Sequence, residues 1–288
     1  MESKNNNPII LPPTSPVYKA FSEATNKRMV FFTGLSGVGK SLYIQQFSKM
    51  AELAGRKVHL LQWDVTREAF QNEQNLAKYP EIDGVTHSVI RKAVGLWTRK
   101  GIEQWHQQYP AAEHLLIGEL PLIGNRLIEV VQQLPDPAEE LLASDQTHFF
   151  LPVPSQTVRD HIVSCRTESI NHPAHEREAA DAPPSVVESM WQQIRQIAID
   201  LEKVSPASST HYDANVYKAG YEYLLQHRHS TTLDINDILD TRGSVYEIGR
   251  IYSELTAQDA EVKEIYEHLE EHYTLNQIAE MVDNWHRI

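Results

Sequence analysis

Residues 31–41 read Phe31-Phe32-Thr33-Gly34-Leu35-Ser36-Gly37-Val38-Gly39-Lys40-Ser41, an apolar run that passes into the pattern G-x-x-x-x-G-K-[ST] and then into a helix-forming stretch. Glycines at 34, 37 and 39 let the backbone turn tightly and aim its N–H groups inward. That arrangement cradles a polyphosphate without intervening side chains. The helix that starts at about Lys40 brings its positive dipole end to the same place. Lys40 is expected to reach the β- and γ-phosphates as a point charge, and the Ser41 hydroxyl to ligate a Mg²⁺ that bridges them. The nucleotide contacts expected here are Gly34, Leu35, Ser36, Gly37, Val38, Gly39, Lys40, Ser41 and Leu42, with ATP and Mg²⁺ as cofactors.

Outward from this stretch, residues 28–32 read as a strand, 40–54 as an amphipathic helix stopped near Gly55, and 58–63 as a second apolar run of strand length. Strand, loop, helix and strand make a βαβ unit, which implies a parallel sheet with a right-handed crossover. Asp64 stands at the carboxyl end of the second strand, where ligands bind in open α/β sheets. Further strand-length runs at 114–119, 147–154 and 230–235 give a central, mainly parallel sheet of five strands. Val85, Val89, Ile90, Val94 and Trp97 recur at helical spacing and read as core, as do residues of helical stretches at 186–204 and 212–227. Residues 1–16, with three consecutive asparagines and four prolines, read as a flexible arm, 17–240 as the main domain and 241–288 as a helical extension. Ile248, Ile251, Tyr252 and Leu255 open that extension at helical spacing.

The chain has 288 residues, a net charge of −13 and one cysteine, Cys165. An acidic balance argues against general nucleic-acid or membrane-surface binding, both of which need basic faces. A single cysteine excludes an internal disulfide framework and fits a reducing compartment. The polar N-terminus and the lack of a long apolar run lead to the expectation of a cytoplasmic protein.

The run 33–41 followed by Asp64-x-x-Arg67 resembles the P-loop kinases of small molecules, a group that includes nucleoside and nucleotide kinases, adenylyl-sulfate kinases, gluconate kinases and zeta-toxin kinases. The resemblance implies a three-layer α/β/α P-loop NTPase fold and transfer of the γ-phosphoryl group of ATP to a small-molecule acceptor. By position, it implies that Asp64 accepts the proton of the acceptor hydroxyl and that Arg67 holds substrate. Arg91, on the helical segment that follows, is a candidate for an anionic group of the substrate. Glu119 ends the third strand in the manner of a Walker B acid, placed to orient Mg²⁺ through water or to engage substrate. Arg126 only loosely matches the Asp-Gly-Phe-Pro-Arg region of adenylate-kinase-like enzymes, displaced by several residues, and is expected on the next helix. Residues 155–184 fall where nucleotide kinases carry a lid, with Arg159, Arg166 and Arg177 available and Arg166 taken as catalytic. The blander alternatives are Asp64 as a helix N-cap beside a solvated Arg67, and Glu119 as a strand-end carboxylate capping a helix. The competing function is an ATPase or nucleotide switch that acts on a protein partner, or on a second copy, through its C-terminal helices.

Overall fold

The computed structural model describes residues 8–82, 84–179, 182–207, 210–241 and 243–288. One all-parallel sheet holds β1 (Met29–Thr33), β2 (Lys57–Gln62), β3 (His114–Leu120), β4 (Thr147–Pro154), β5 (Ser230–Ile235) and β6 (Ser253–Glu254), in the order β5-β4-β1-β3-β2-β6. The helices of the first half are α1 (Pro16–Ala24), α2 (Lys40–Leu53), α3 (Trp63–Phe70), α4 (Glu73–Lys78), α5 (Ser88–Gln108) and α6 (Ala138–Leu142). Those of the second half are α7 (Gln156–Asn171), α8 (Glu176–Ala179), α9 (Pro184–Asp200), α10 (Ala214–Leu224), α11 (Asp259–His272) and α12 (Leu275–Asp283).

Alternation along the strands explains the layering. Phe31, Leu116 and Phe149 face one way and join a core with Trp97 of α5, Trp191 of α9, Tyr217 of α10 and Leu269 of α11. Val30, Phe32, Leu115 and Phe150 face the other way and join Phe21 of α1 and Phe47 of α2. With both faces covered, β1 is buried along its whole length, which is why it reads as an uninterrupted apolar run. The sheet, compatible with a P-loop NTPase, sends its β1-to-β2 and β4-to-β5 connections in opposite directions from the neighbouring strands β1 and β4. The crevice beyond their carboxyl ends is where such a sheet accommodates a ligand.

Six strands correct the expected five. Residues 248–252, expected to be helical, run instead as a loop into β6. Tyr252 N–H donates to Val58 O at 2.7 Å and Leu255 N–H to Leu60 O at 2.8 Å, so a two-residue strand extends the edge at β2. Val85, expected in the core, is 48% exposed and bridges to Ile82 in the turn before α5. The first seven residues of the expected arm lie outside the described ones. The rest of it is docked, with Leu11 buried and Ile10 N–H donating to Gln46 Oε1 of α2 at 2.7 Å. Beyond β6, α11 and α12 pack on α5. No helix among the described residues is long and apolar enough to cross a membrane.

Candidate functional site

The glycine-rich turn links the end of β1 to α2. Gly39 is the residue before α2 and has φ +87°, a left-handed conformation that costs glycine little. Gly34 has φ +132°, and a Cβ there would fall 2.2 Å from the Tyr217 hydroxyl oxygen of α10. Lys40 folds back over the turn, its Nζ donating to Gly34 O at 2.7 Å and to Leu35 O at 2.8 Å. The same ammonium lies 3.0 Å from Glu119 Oε1 at the end of β3. Parallel pairing brings this about, because Glu119 sits level with Phe32 of β1 on one side and Gln62 of β2 on the other. Burial pushes the Glu119 carboxyl above its ordinary range, the Lys40 charge pulls it back, and Asp64 adds to the rise.

A cleft of about 730 Å³ opens at this point, a volume suited to a nucleotide-sized ligand. Of the nine expected nucleotide contacts, Ser36, Gly37, Gly39, Lys40, Ser41 and Leu42 line it. Leu35 and Val38 are turned into the core, so those two positions could offer only backbone groups. Asp64, Arg67, Glu119 and Arg166 line the same cleft. Ser41 and Glu119 supply two hard oxygen donors there, which fits a Mg²⁺ that takes the rest of its shell from phosphate and water. Among the described residues no group of three or more His, Cys, Asp or Glu side chains is placed to hold a metal ion, and a Mg²⁺ bound in this manner needs none.

Asp64 falls in the first turn of α3 rather than at its cap, which is Gln62, and its side chain is 76% exposed at 3.5 Å from Arg67. Arg67 is not a solvated surface residue. Its Nη1 lies 3.3 Å from both Glu81 Oε1 and Thr86 Oγ1, which tie it to the turn before α5. Arg91 and Arg126 lie outside the cleft lining. Arg91 Nη1 donates to Gly124 O at 2.7 Å, and Arg126 Nη1 to Ile123 O at 3.1 Å. Arg126 is in a turn after β3, not on a helix as expected. That turn is closed by Leu122 N–H to Arg126 O at 2.9 Å and has positive φ at Leu122, Gly124, Asn125 and Leu127. For the two leucines this conformation costs roughly 1–2 kcal/mol each. Burial, first, and then the charge of Arg91 pull the Arg126 guanidinium down to about 10.

Residues of the expected lid segment 155–184, of which 180 and 181 lie outside the described residues, line one wall of the cleft. Helix α7 starts with Ser155 accepting from Val158 N–H, and carries His161, Cys165 and Arg166 along the cleft wall. Arg159 points elsewhere, to Gly37 O at 3.4 Å and over the Tyr212 ring at 4.5 Å. Arg177 of α8 reaches Gln62 Oε1 at 2.7 Å and Glu254 Oε1 of β6 at 3.3 Å. Next to it, Ser244 Oγ donates to Glu178 Oε1 at 2.6 Å. Ser244 belongs to the loop between β5 and β6, which contributes Asp237, Leu239 and Tyr246 to the cleft. The contact of Tyr217 with the glycine turn and the Ser244 bond had no sequence signal, since a tyrosine on an apolar helix stripe reads as core and a loop serine reads as solvated. Compared with known proteins, the chain matches no family model, no curated protein and no solved structure.

Proposed function

We propose that the protein is an ATP-dependent kinase that transfers the γ-phosphoryl group to a small-molecule acceptor. The observation that carries this reading is that one cleft holds a phosphate-cradle lysine and serine, Lys40 and Ser41, together with Asp64, Arg67, Glu119 and Arg166. Phosphoryl transfer asks a protein chiefly for positioning and charge stabilisation, and these groups supply both. The acceptor oxygen forms a bond to the γ-phosphorus while the bond to the β–γ bridging oxygen breaks. ADP leaves with that electron pair, and the acceptor proton passes to Asp64. Bound Mg²⁺ would neutralise phosphate charge, with Ser41 and Glu119 as the residues to hold it. Arg166, which lines the same cleft, would stabilise charge on the transferring group. The C-terminal helices favour this reading over a protein-directed switch, because α11 and α12 bury Leu269, Ile278 and Val282 in the chain's own core.

The test is Lys40→Ala. Removing a charge-assisted phosphate contact worth about 1.5–3 kcal/mol should weaken Mg-ATP binding about ten- to a hundredfold in calorimetry. Unchanged affinity overturns the nucleotide assignment. A companion screen of nucleosides, nucleotides, sugars and adenylyl sulfate for acceptor-dependent ADP release identifies the acceptor.

A further inference from the structure

Arg67, Arg91 and Arg126 come from three separate segments, yet their charges gather beside the cleft. A single point, the Cβ position of Gly124, lies 2.9 Å from Arg126 Nη1 and 3.5 Å from Arg91 Nη1. The Arg126 guanidinium is also disfavoured in its charged form by Arg67, with Asp64 and Tyr221 opposing. Among the described residues no carboxylate lies within ion-pair distance of Arg91 or Arg126, and both donate to backbone carbonyls. Asp283 of α12 acts on Arg91 only through its field. The Nε groups of Arg67 and Arg91 are buried without a hydrogen-bond partner among the described residues. Buried donors and crowded like charges both disfavour the folded state unless something anionic arrives to satisfy them. The turn that presents Arg126 has two leucines in left-handed conformation, and such strain concentrates at ligand clamps.

We infer that Arg67, Arg91 and Arg126 form a subsite for a phosphate group already present on the acceptor. The substrate class is then a phosphomonoester, such as a nucleoside monophosphate or a sugar phosphate, and not a neutral alcohol. Planar guanidinium forks match the paired oxygens of a phosphate, and three of them match its double negative charge. This rests on the kinase reading of the cleft, because Arg67 lines that cleft next to Asp64 and links the arginine cluster to it.

Inorganic phosphate is the probe that needs no knowledge of the acceptor's scaffold. Protein saturated with Mg-ADP, which occupies the glycine-rich turn, is titrated with phosphate and followed by ³¹P line broadening. One saturable site is expected, weakened about ten- to a hundredfold in Arg91→Gln and in Arg126→Gln. Arg126→Lys, which keeps the charge without the fork, should fall between. If Arg126→Gln does not fold, Arg67→Gln, on a partly exposed helix face, carries the same test. Absence of a phosphate site in the ADP-bound protein overturns the subsite, as does equal binding in the glutamine variants. Failure of wild-type protein to bind Mg-ADP overturns the kinase reading instead. In that case the nucleotide-free titration decides the subsite, which stands only if phosphate binding is lost in Arg91→Gln and kept in Lys40→Ala. Acceptor assays that pair nucleoside monophosphates with nucleosides, and sugar phosphates with sugars, then identify the source of the phosphate.

Discussion

The glycine-rich end of the cleft is made largely of backbone drawn from one stretch, residues 33–41, whereas the proposed acceptor end is made of side chains brought in on separate segments. Asp64 and Arg67 ride on α3 and line the cleft, while Arg91 on α5 and Arg126 on the turn after β3 lie outside its lining and belong to the subsite proposed above. A cradle of consecutive residues can be recognised as a pattern, because spacing along the chain is spacing in space. A cluster assembled by tertiary contact has no such spacing, and only the types of its residues show beforehand. The two ends also differ in what holds them. Lys40 is fixed by two carbonyls and a carboxylate, while Asp64 is 76% exposed and, among the described residues, has its neighbouring arginine as its one ion pair.

The sharpest way to separate the two ends is to disable one without touching the other. Asp64→Asn keeps the shape and leaves the glycine turn intact, but removes the proton acceptor, a contribution of roughly 10²–10⁴-fold in rate. Mg-ATP affinity should stay near wild type, since the ion pair of Asp64 is with Arg67 whereas Glu119 and the carbonyls of Gly34 and Leu35 hold Lys40. Glu119→Gln should act in the opposite sense, changing nucleotide affinity through the Lys40 pair. Turnover of an acceptor at the wild-type rate by Asp64→Asn would show that the residue is only a surface acid, and loss of ATP hydrolysis confined to Glu119→Gln would favour a switch.

A smaller effect is expected from the glycine-rich end itself. Gly34→Ala places a methyl group 2.2 Å from the Tyr217 hydroxyl at a φ that L-residues rarely adopt. Overpacking of this kind costs about 1–3 kcal/mol, read as a lower midpoint in urea unfolding. Adding Tyr217→Phe removes the clashing oxygen and should restore part of that loss, leaving the backbone strain. No recovery in the double variant would mean that α10 does not rest on the turn.

β1, β3 and β4 were legible because each is buried on both faces and reads as an apolar run, and β2 by its buried middle; β5 is polar and largely half-buried or exposed, and only its β-branched Thr231, Thr232 and Ile235 marked it as a strand. The readings 147–154 and 230–235 coincide with β4 and β5, and 114–119 falls one residue short of β3. β6 was not legible, since Ser253 and Glu254 are polar, half-buried and too few to show a period. Only the backbone bonds to Val58 and Leu60 make them a strand. Asp64 was foreseen at a strand end and lies in the first turn of a helix, because α3 follows β2 with no intervening loop. Arg126 was expected on a helix although Gly124 and Asn125, which take positive φ just before it, are turn-forming residues; only the left-handed Leu122 and Leu127 on either side of them have no residue signature.

The expected lid segment gives the smallest effect, and it asks whether the two ends are closed by one device. Ser244 donates to Glu178 across the gap between α8 and the loop after β5, while Ala174 N–H and His175 N–H donate to the same carboxylate. Burial works to raise the Glu178 carboxyl, but these three bonds outweigh it and hold it below the usual range. The stabilisation this gives is complete above the unfolded-state value of about 4.3 and is lost as pH falls through the depressed folded-state value. Ser244→Ala removes one of the three bonds and leaves the carboxylate with two. The expected cost is about 1 kcal/mol, or roughly fivefold faster hydrogen exchange across residues 155–179. A bisubstrate analogue should slow that exchange in wild-type and variant protein alike, since it spans both ends of the cleft beneath α7. If Ser244→Ala leaves exchange unchanged at pH 7 and wild-type protection does not fall between pH 5 and pH 3, α8 is held by Arg177 alone and the latch is not what closes the cleft.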